Sequence, residues 1–173
     1  RAHGFHADDV TSVTVNTFAE SAALFPGMPA TTSQAQYSLP FALAVMLVHG
    51  RIGPNEITGA GLNDPQVSAL LPRISVHEAA RHSERFPEGR WSDVTVELKD
   101  GRRLASGDVN ARGGSEAPMD MHEVEAKFHI MASALPDPRR RAIWEMREQL
   151  MQPEAKFEEL ARLVRAPMEK PHV

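Results

Sequence analysis

The stretch VTVELKDG, residues 94–101, decides the fold class of this 173-residue chain. Its apolar residues alternate with polar ones, which is the period of a half-buried β-strand. Asp100-Gly101 follows directly, and this dipeptide is the strongest short-range signal for a β-hairpin. We therefore predict a returning strand over residues 103–109, and with it an antiparallel sheet.

Two shorter alternating segments extend the predicted sheet. Val13 and Val15 are separated by polar residues, and Ile74 and Val76 repeat the pattern on a smaller scale. Polar, proline-containing or glycine-rich stretches separate the predicted elements and are read as loops. These stretches cover residues 19–32, 78–91 and 110–118.

A helix is predicted where residues 39–48 form an almost wholly apolar run, which indicates burial on most sides. Ser33 and Gln36 precede it with capping-box spacing, and Gly50 is a suitable stop. Pro40 breaks the pattern, because a proline inside a helix costs about 3 kcal/mol. The helix must therefore start later than Ser33 or bend.

Proline and acidic residues mark four more helix starts. A helix is predicted after Asp64-Pro65, and three more form a helical C-terminal part. Those three begin at Asp120, Asp137-Pro138 and Pro153. The predicted fold is thus α+β, a small antiparallel sheet with packed helices followed by C-terminal helices. We place the domain boundary between residues 1–118 and 119–173.

Composition excludes several classes of protein. The chain has 42% hydrophobic residues, which is too many for a disordered chain, and no cysteine, which excludes disulfide scaffolds and thiolate chemistry. A net charge of −4 argues against a nucleic-acid partner, and no apolar run reaches the ~20 residues of a membrane span. We expect a cytoplasmic protein without a membrane partner. Because the sequence begins at Arg1, we expect it to be part of a longer polypeptide.

No recognised catalytic or metal motif is present. Six of the eight histidines occur in local pairs, which are His3/His6, His77/His82 and His122/His129. None has the spacing of a metal motif, so solvated or capping histidines are predicted, and no metal. Arg112 opens a glycine-rich loop that is read as a connector, with a phosphate loop or a carboxylate contact as alternatives. The run Arg139-Arg140-Arg141 is read as solvated, with an acidic partner surface as the alternative.

The segment Ala35-Gln36-Tyr37-Ser38-Leu39-Pro40-Phe41 leads a polar stretch into the apolar run. It combines polar side chains with a proline in an awkward position, and broken local rules often mark functional sites. From the residues alone, a binding site and an unusual helix start both remain open.

This segment, with Ala44, resembles the signature A-Q-[FY]-S-x-P-[YF]-x-x-A of the MmgE/PrpD family, which includes 2-methylcitrate dehydratases, cis-aconitate decarboxylases and iminodisuccinate epimerases. Four further stretches resemble family motifs in the same order. They are Asp9–Val15, Asp64–Leu71, Leu98–Arg102 and Arg112–Phe128.

The resemblance implies a two-domain, cofactor-independent enzyme. In the family, a large helical N-terminal domain carries most of the acid–base machinery, and a smaller domain of chorismate-mutase-like topology closes over the cleft. This chain matches the smaller domain and the final helices, which would pack on the missing N-terminal helical domain. The resemblance therefore implies no catalytic residue in this chain, a small polycarboxylate substrate in the full-length enzyme, and a homodimer. The expected substrate-binding residues are Gln36, Ser38, Phe41 and Arg112.

One departure bears on the reaction. In cis-aconitate decarboxylases the position of Phe41 is a tyrosine that faces the substrate, and phenylalanine cannot donate a proton or a hydrogen bond. A 2-methylcitrate dehydratase-like lyase or isomerase, inactive without its helical domain, is therefore the predicted function. The alternative is a non-catalytic, stand-alone module for binding a small ligand or for dimerisation.

Overall fold

The computed structural model describes residues 3–167. The chain divides into two compact units, Arg1–Met119 and Asp120–Val173, and each is described by itself. Within the described residues, no helix has the length and apolar character needed to cross a bilayer.

The first unit contains a five-stranded sheet with the order β2-β1-β3-β4, in which β5 also pairs with β3. The strands are β1 (Val10–Thr17), β2 (Ile74–Glu78), β3 (Trp91–Leu98), β4 (Arg103–Ala105) and β5 (Val109–Asn110). The α+β prediction is confirmed, but the sheet is mixed rather than purely antiparallel, because β1 and β2 run parallel. A parallel pair needs a crossover of about a dozen residues or more, and the helices between β1 and β2 supply it.

The helices of the described residues are short in the first unit and longer in the second. They are α1 (Ala19–Ala22), α2 (Thr32–Gln36), α3 (Leu39–His49), α4 (Pro54–Ile57), α5 (Pro65–Leu70), α6 (Ala80–Ser83), α7 (Met121–Met131), α8 (Asp137–Gln149) and α9 (Phe157–Arg165). Single 3-10 turns lie at Ala7–Asp9, Gly59–Asn63 and Leu71–Arg73.

The hairpin predicted from residues 94–101 is present. Val96 of β3 pairs with Leu104 of β4, and Gly101 takes a φ of 85°, a left-handed conformation that glycine adopts without strain. The returning chain pairs with β3 in two pieces. The backbone pairing with β3 is interrupted at Ser106, whose hydroxyl accepts a hydrogen bond from the Val94 N–H at 2.9 Å.

The core lies on one face of the sheet. Val13 and Val15 of β1 are fully buried opposite Val96 and Val94 of β3, as the alternation predicted. Helix α3 covers this face and packs against α5 and β2. Because α3 is apolar nearly all round, it is buried on several sides and not along a single stripe.

Local boundaries differ from the sequence predictions at three places. The segment over residues 19–32 includes α1, which was not predicted. The cap before α2 is Thr31 and not Ser33, since the Thr31 hydroxyl accepts from the Gln34 N–H at 3.2 Å. The third C-terminal helix starts at Phe157, four residues after the predicted Pro153.

The second unit consists of α7, α8 and α9, with α8 packed against each of the other two. Asp120 and Glu123 form the reciprocal capping box that their spacing indicated, with distances of 2.8 and 3.0 Å. Met146 is buried, whereas Phe157 and Val164 are 68% and 58% exposed.

Candidate functional site

The segment of residues 35–41 forms the junction between α2 and α3. The Ser38 hydroxyl accepts a hydrogen bond from the Phe41 N–H at 3.3 Å and so caps α3. Pro40 falls in the first turn of α3, where a backbone N–H has no acceptor within the helix, so the N–H that proline lacks costs no hydrogen bond. The helix therefore starts later than Ser33, and the proline is accommodated without a bend.

Two of the four predicted substrate-binding residues are buried at this junction. Ser38 is 2% exposed and Phe41 is 0% exposed, inside the core that also holds Val13 and Val45. The structure thus gives Ser38 a capping role and Phe41 a packing role. That they line a substrate cleft stays a prediction.

The other two predicted residues lie on the surface. Gln36 is exposed at the end of α2, beside Tyr37, which is 61% exposed. Arg112 is exposed in the glycine-rich loop, where its Nη2 donates to the Pro118 carbonyl oxygen at 3.3 Å. Gln36 thus belongs to the same junction as Ser38 and Phe41, whereas this hydrogen bond ties Arg112 to its own loop.

A polar pair, His49 and Asp64, joins the end of α3 to the start of α5. His49 Nε2 lies 2.8 Å from Asp64 Oδ2, while Asp64 Oδ1 accepts from the N–H groups of Gln66 and Val67. Burial raises the pKa of Asp64, but the hydrogen bonds from Val67, Gln66 and His49 outweigh it, so the pKa lies below its usual value. The sequence predicted the helix start at Asp64 but gave no sign of its histidine partner.

The prediction that the histidines are solvated or capping is wrong for His82, which is 0% exposed. His82 lies on α6, and its Nε2 is 2.8 Å from Asp93 Oδ2 on β3. Asp93 also accepts hydrogen bonds from Arg81 and, at 3.0 Å, from Asn16 of β1. Nothing in the linear sequence marks this cluster, because three separate elements contribute to it.

A second carboxylate completes this polar cluster at α6. Asp108 Oδ2 accepts from Arg85 Nη1 at 2.8 Å, and Asp108 Oδ1 lies 3.7 Å from Arg81 Nε. Burial raises the pKa of Asp93. The hydrogen bonds from His82 and Asn16 and the positive charge of Arg81 lower it by more than burial raises it, so the pKa of Asp93 lies below its usual value.

Three of these groups have the spacing of metal ligands. His82, Asp93 and Asp108 each offer one ligand atom, and the three atoms lie within 4.8 Å of one another. However, the guanidinium groups of Arg81 and Arg85 already neutralise the two carboxylates, so a cation would have to displace them. We assign the cluster as an ion-pair network.

In the second unit, the structure corrects the prediction of a solvated arginine run. Arg139 donates from Nε to the Leu163 carbonyl at 2.6 Å and from Nη2 to the Val164 carbonyl at 2.9 Å, so it caps the last turn of α9. Arg140 bonds to Asp137, and its Nε is buried without a partner. Arg141 is exposed, as expected.

Comparison with known proteins identifies relatives of this chain. The family model of the MmgE/PrpD C-terminal domain matches residues 1–152. The chain is 26% identical over 113 residues to a protein named 2-methylcitrate dehydratase, mitochondrial, from Yarrowia lipolytica (strain CLIB 122 / E 150). The aligned stretch covers 62% of this chain and 22% of that relative, so the chain spans well under two thirds of the relative's length.

Proposed function

Because this chain belongs to the MmgE/PrpD family, whose C-terminal domain it carries, we propose that it is the α+β part of a lyase or isomerase. Its substrate class is the small polycarboxylic acids, with a reaction similar to that of 2-methylcitrate dehydratase. The observation that carries the proposal is the family match over residues 1–152, which includes the whole sheet and the α2–α3 junction. The similarity to a 2-methylcitrate dehydratase favours dehydration among the family's reactions.

The proposed chemistry removes a proton next to a carboxylate and then expels water. Such a step needs a base poised near neutral pH and cationic or polar groups that stabilise the developing charge. Of the predicted residues, Gln36 and Arg112 are exposed and so accessible to an acid, while Ser38 and Phe41 are buried. The proposed base lies in the helical domain of the full-length enzyme, and no metal or organic cofactor takes part.

The second unit supports the need for a further domain. Apolar side chains of α7 and α9 stay exposed among the described residues, including Met121, Val124, Phe157 and Val164. Exposed apolar side chains on neighbouring helices are typical of a surface that another domain covers. We assign it to the helical domain of the same enzyme, and we propose that the complete enzyme is a homodimer.

An activity assay tests the proposal. The purified chain is incubated with 2-methylcitrate and with cis-aconitate, and alkene formation or loss is followed by ultraviolet absorbance. We expect no turnover by the chain alone, and turnover once a helical domain from a full-length family member is added. Robust turnover by the chain alone would overturn the assignment of catalysis to the other domain.

Matched substitutions in a full-length relative test the site. Alanine at the position of Gln36 or of Arg112 is expected to raise KM for the acid at least several-fold. Alanine at the position of Glu88, an exposed residue outside the junction, serves as the control. Unchanged KM in both site variants would remove Gln36 and Arg112 from the substrate site.

A non-catalytic module is the second candidate. It is favoured by the first unit, which closes a complete core around Val13 and Phe41 without any residue from another domain. The coding sequence upstream of Arg1 separates the two candidates, since a start codon immediately before it and no helical half would favour the module.

A further inference from the structure

Two adjoining cavities of the first unit lie between the N-terminal segment and the helices α3 and α5. The smaller one, here called the Arg73 pocket, has a volume of about 390 Å³, and the larger one, here called the α3 cavity, about 700 Å³. His6, Ala7 and Val48 line both of them, so the two cavities share a boundary. The Arg73 pocket alone has the size of a small-molecule site.

The two cavities are separated from the α2–α3 junction by the length of α3. The junction lies at the N-terminal end of this helix, whereas the α3 cavity is lined by its C-terminal half from Met46 onward. With a rise of about 1.5 Å per residue, Val48 lies ~15 Å along the helix axis from Ser38. A ligand in these cavities would therefore occupy a site apart from the junction.

Apolar side chains form one part of the lining. Met46, Leu47 and Val48 line the α3 cavity, and Leu70 of α5 lines the Arg73 pocket. Met46 is 44% exposed, although it belongs to a helix that contains no Asp, Glu, Lys or Arg. An apolar ligand group placed here would remove this surface from water, and such burial is favourable in proportion to its area.

Two opposite charges complete the lining of the Arg73 pocket. The guanidinium of Arg73 is anchored, because its Nη1 donates to the Val10 carbonyl oxygen at 2.6 Å. Within the described residues, its other N–H groups make no hydrogen bond, the Asp8 carboxylate accepts none, and no ion pair joins Asp8 to Arg73. Both residues are exposed, so a ligand that enters the pocket from solvent can reach both charges.

The two charges narrow the class of ligand. A carboxylate suits the planar donors of a guanidinium, but the negative charge of Asp8 would repel an anion that carries no positive charge of its own. An ammonium group on the same ligand would turn this repulsion into attraction. A free α-amino acid carries both groups on adjacent atoms, and an apolar side chain suits the lining beside Val48.

We propose that the Arg73 pocket binds a free α-amino acid with an apolar side chain. The carboxylate pairs with Arg73, the ammonium group pairs with Asp8, and the side chain extends past Val48 into the α3 cavity. This inference is independent of the proposed enzymatic function, because every residue that it uses lies outside the α2–α3 junction and the Arg112 loop.

NMR titration of the intact, ¹⁵N-labelled chain at pH 7.5 with leucine and with phenylalanine tests the proposal. We expect saturable shifts at the amides of Ala7, Val48 and Leu70, with the amide of Tyr37 at the junction unchanged. Absence of saturable shifts with both amino acids would overturn the proposal. Shifts centred on Tyr37 would overturn the assignment to this pocket.

Two analogues of leucine test the requirement for both charges. 4-Methylpentanoate lacks the ammonium group, and 3-methylbutylamine lacks the carboxylate. Each is expected to bind at least about tenfold more weakly than leucine, because each loses a hydrogen bond between charged groups. Binding of 4-methylpentanoate as tight as that of leucine would contradict the role of Asp8.

Asp8→Asn gives the sharpest test, because it changes the two ligands in opposite directions. Leucine is expected to bind about tenfold more weakly, whereas 4-methylpentanoate should bind more tightly once the negative charge is gone. Glu88→Gln removes an exposed carboxylate outside the pocket and should leave both affinities unchanged. Equal weakening of both ligands by Asp8→Asn would indicate a structural effect and contradict the proposal.

Arg73→Gln tests the other charge. It should weaken leucine and 4-methylpentanoate at least about tenfold, whereas Arg103→Gln, which replaces an exposed arginine of β4, should weaken neither. Leucine binding unchanged in a folded Arg73→Gln variant would overturn the proposal. Because Arg73→Gln also removes the bond to Val10, circular dichroism checks its fold, and Asp8→Asn decides the outcome if that variant is unfolded.

Discussion

The backbone N–H of Phe41 donates to the Ser38 hydroxyl across 3.3 Å, and both residues are buried. Two residues that the sequence nominated for substrate binding therefore form the first turn of the helix that covers the sheet. A structural role and a role in binding make different predictions for substitutions at these positions.

Ser38→Ala is expected to lower the free energy of unfolding by about 1 kcal/mol, because it removes the side-chain acceptor at the N-terminus of α3. Urea unfolding followed by circular dichroism measures this. Thr31→Ala, which removes the corresponding cap of the short helix α2, is the matched control and should have the smaller effect, because α3 carries more of the core. Unchanged stability for Ser38→Ala, with lost activity in a full-length relative, would favour the binding role.

Phe41→Tyr is expected to cost about 1–3 kcal/mol of stability, because the added hydroxyl enters an apolar core without a partner. Phe41→Leu keeps an apolar side chain and should cost less than Phe41→Ala, for which about 3–5 kcal/mol is expected. Thermal or urea unfolding ranks the three variants. A Phe41→Tyr variant as stable as the unmodified chain would mean that the hydroxyl reaches a polar cleft.

Asp93→Asn is expected to lower the free energy of unfolding at pH 7 by about 1.5–3 kcal/mol, the range for hydrogen bonds to a charged group. The pKa of Asp93 is lower in the folded state, so its ionised form adds stability at pH values above the unfolded pKa of ~3.9. That contribution disappears as the pH falls through the lower, folded pKa. The difference between the two proteins should therefore shrink in strong acid.

Urea unfolding at a series of pH values measures this dependence. Glu88→Gln removes an exposed carboxylate and should follow the unmodified chain throughout. A constant difference between Asp93→Asn and the unmodified chain from pH 7 to strong acid would show that the charge of Asp93 does not stabilise the fold.

Arg139→Lys is expected to loosen the C-terminal turn of α9, because lysine keeps the charge but loses the two-pronged contact with the Leu163 and Val164 carbonyls. Amide protection in α9 should fall several-fold in hydrogen exchange, with α7 unaffected. Arg141→Lys changes an exposed arginine of the same run and should leave both helices unchanged. Equal protection of α9 in the two variants would argue against the cap.

Much of the fold followed from local patterns. Val94, Val96 and Leu98 predicted β3, and Asp100-Gly101 predicted its hairpin, because strand period and turn chemistry are properties of neighbouring residues. Asp64-Pro65 fixed the start of α5 for the same reason. The parallel pairing of β1 with β2 was not predicted, since the packing of the intervening helices decides how a crossover returns.

The candidate site divides along the same line. The sequence nominated the α2–α3 junction and Arg112 for substrate binding, which stays a prediction, and the family match over residues 1–152 confirms the membership that the junction segment indicated. The sequence pattern did not distinguish the exposed Gln36 from the buried Phe41, because burial depends on which side chains pack over a residue. The capping role of Arg139 was missed for a similar reason, since its acceptors lie more than twenty residues away.

By itself, the sequence determined the fold class, the hairpin, the helix caps at Asp64 and Asp120, and the family. The tertiary structure alone decided that Phe41 is core, that His49 pairs with Asp64, and that His82 is enclosed beside Asp93. The first group depends on contacts between residues a few positions apart, which a linear pattern records. The second depends on side chains that only the packing of distant elements brings within hydrogen-bond range, where burial makes each polar contact count.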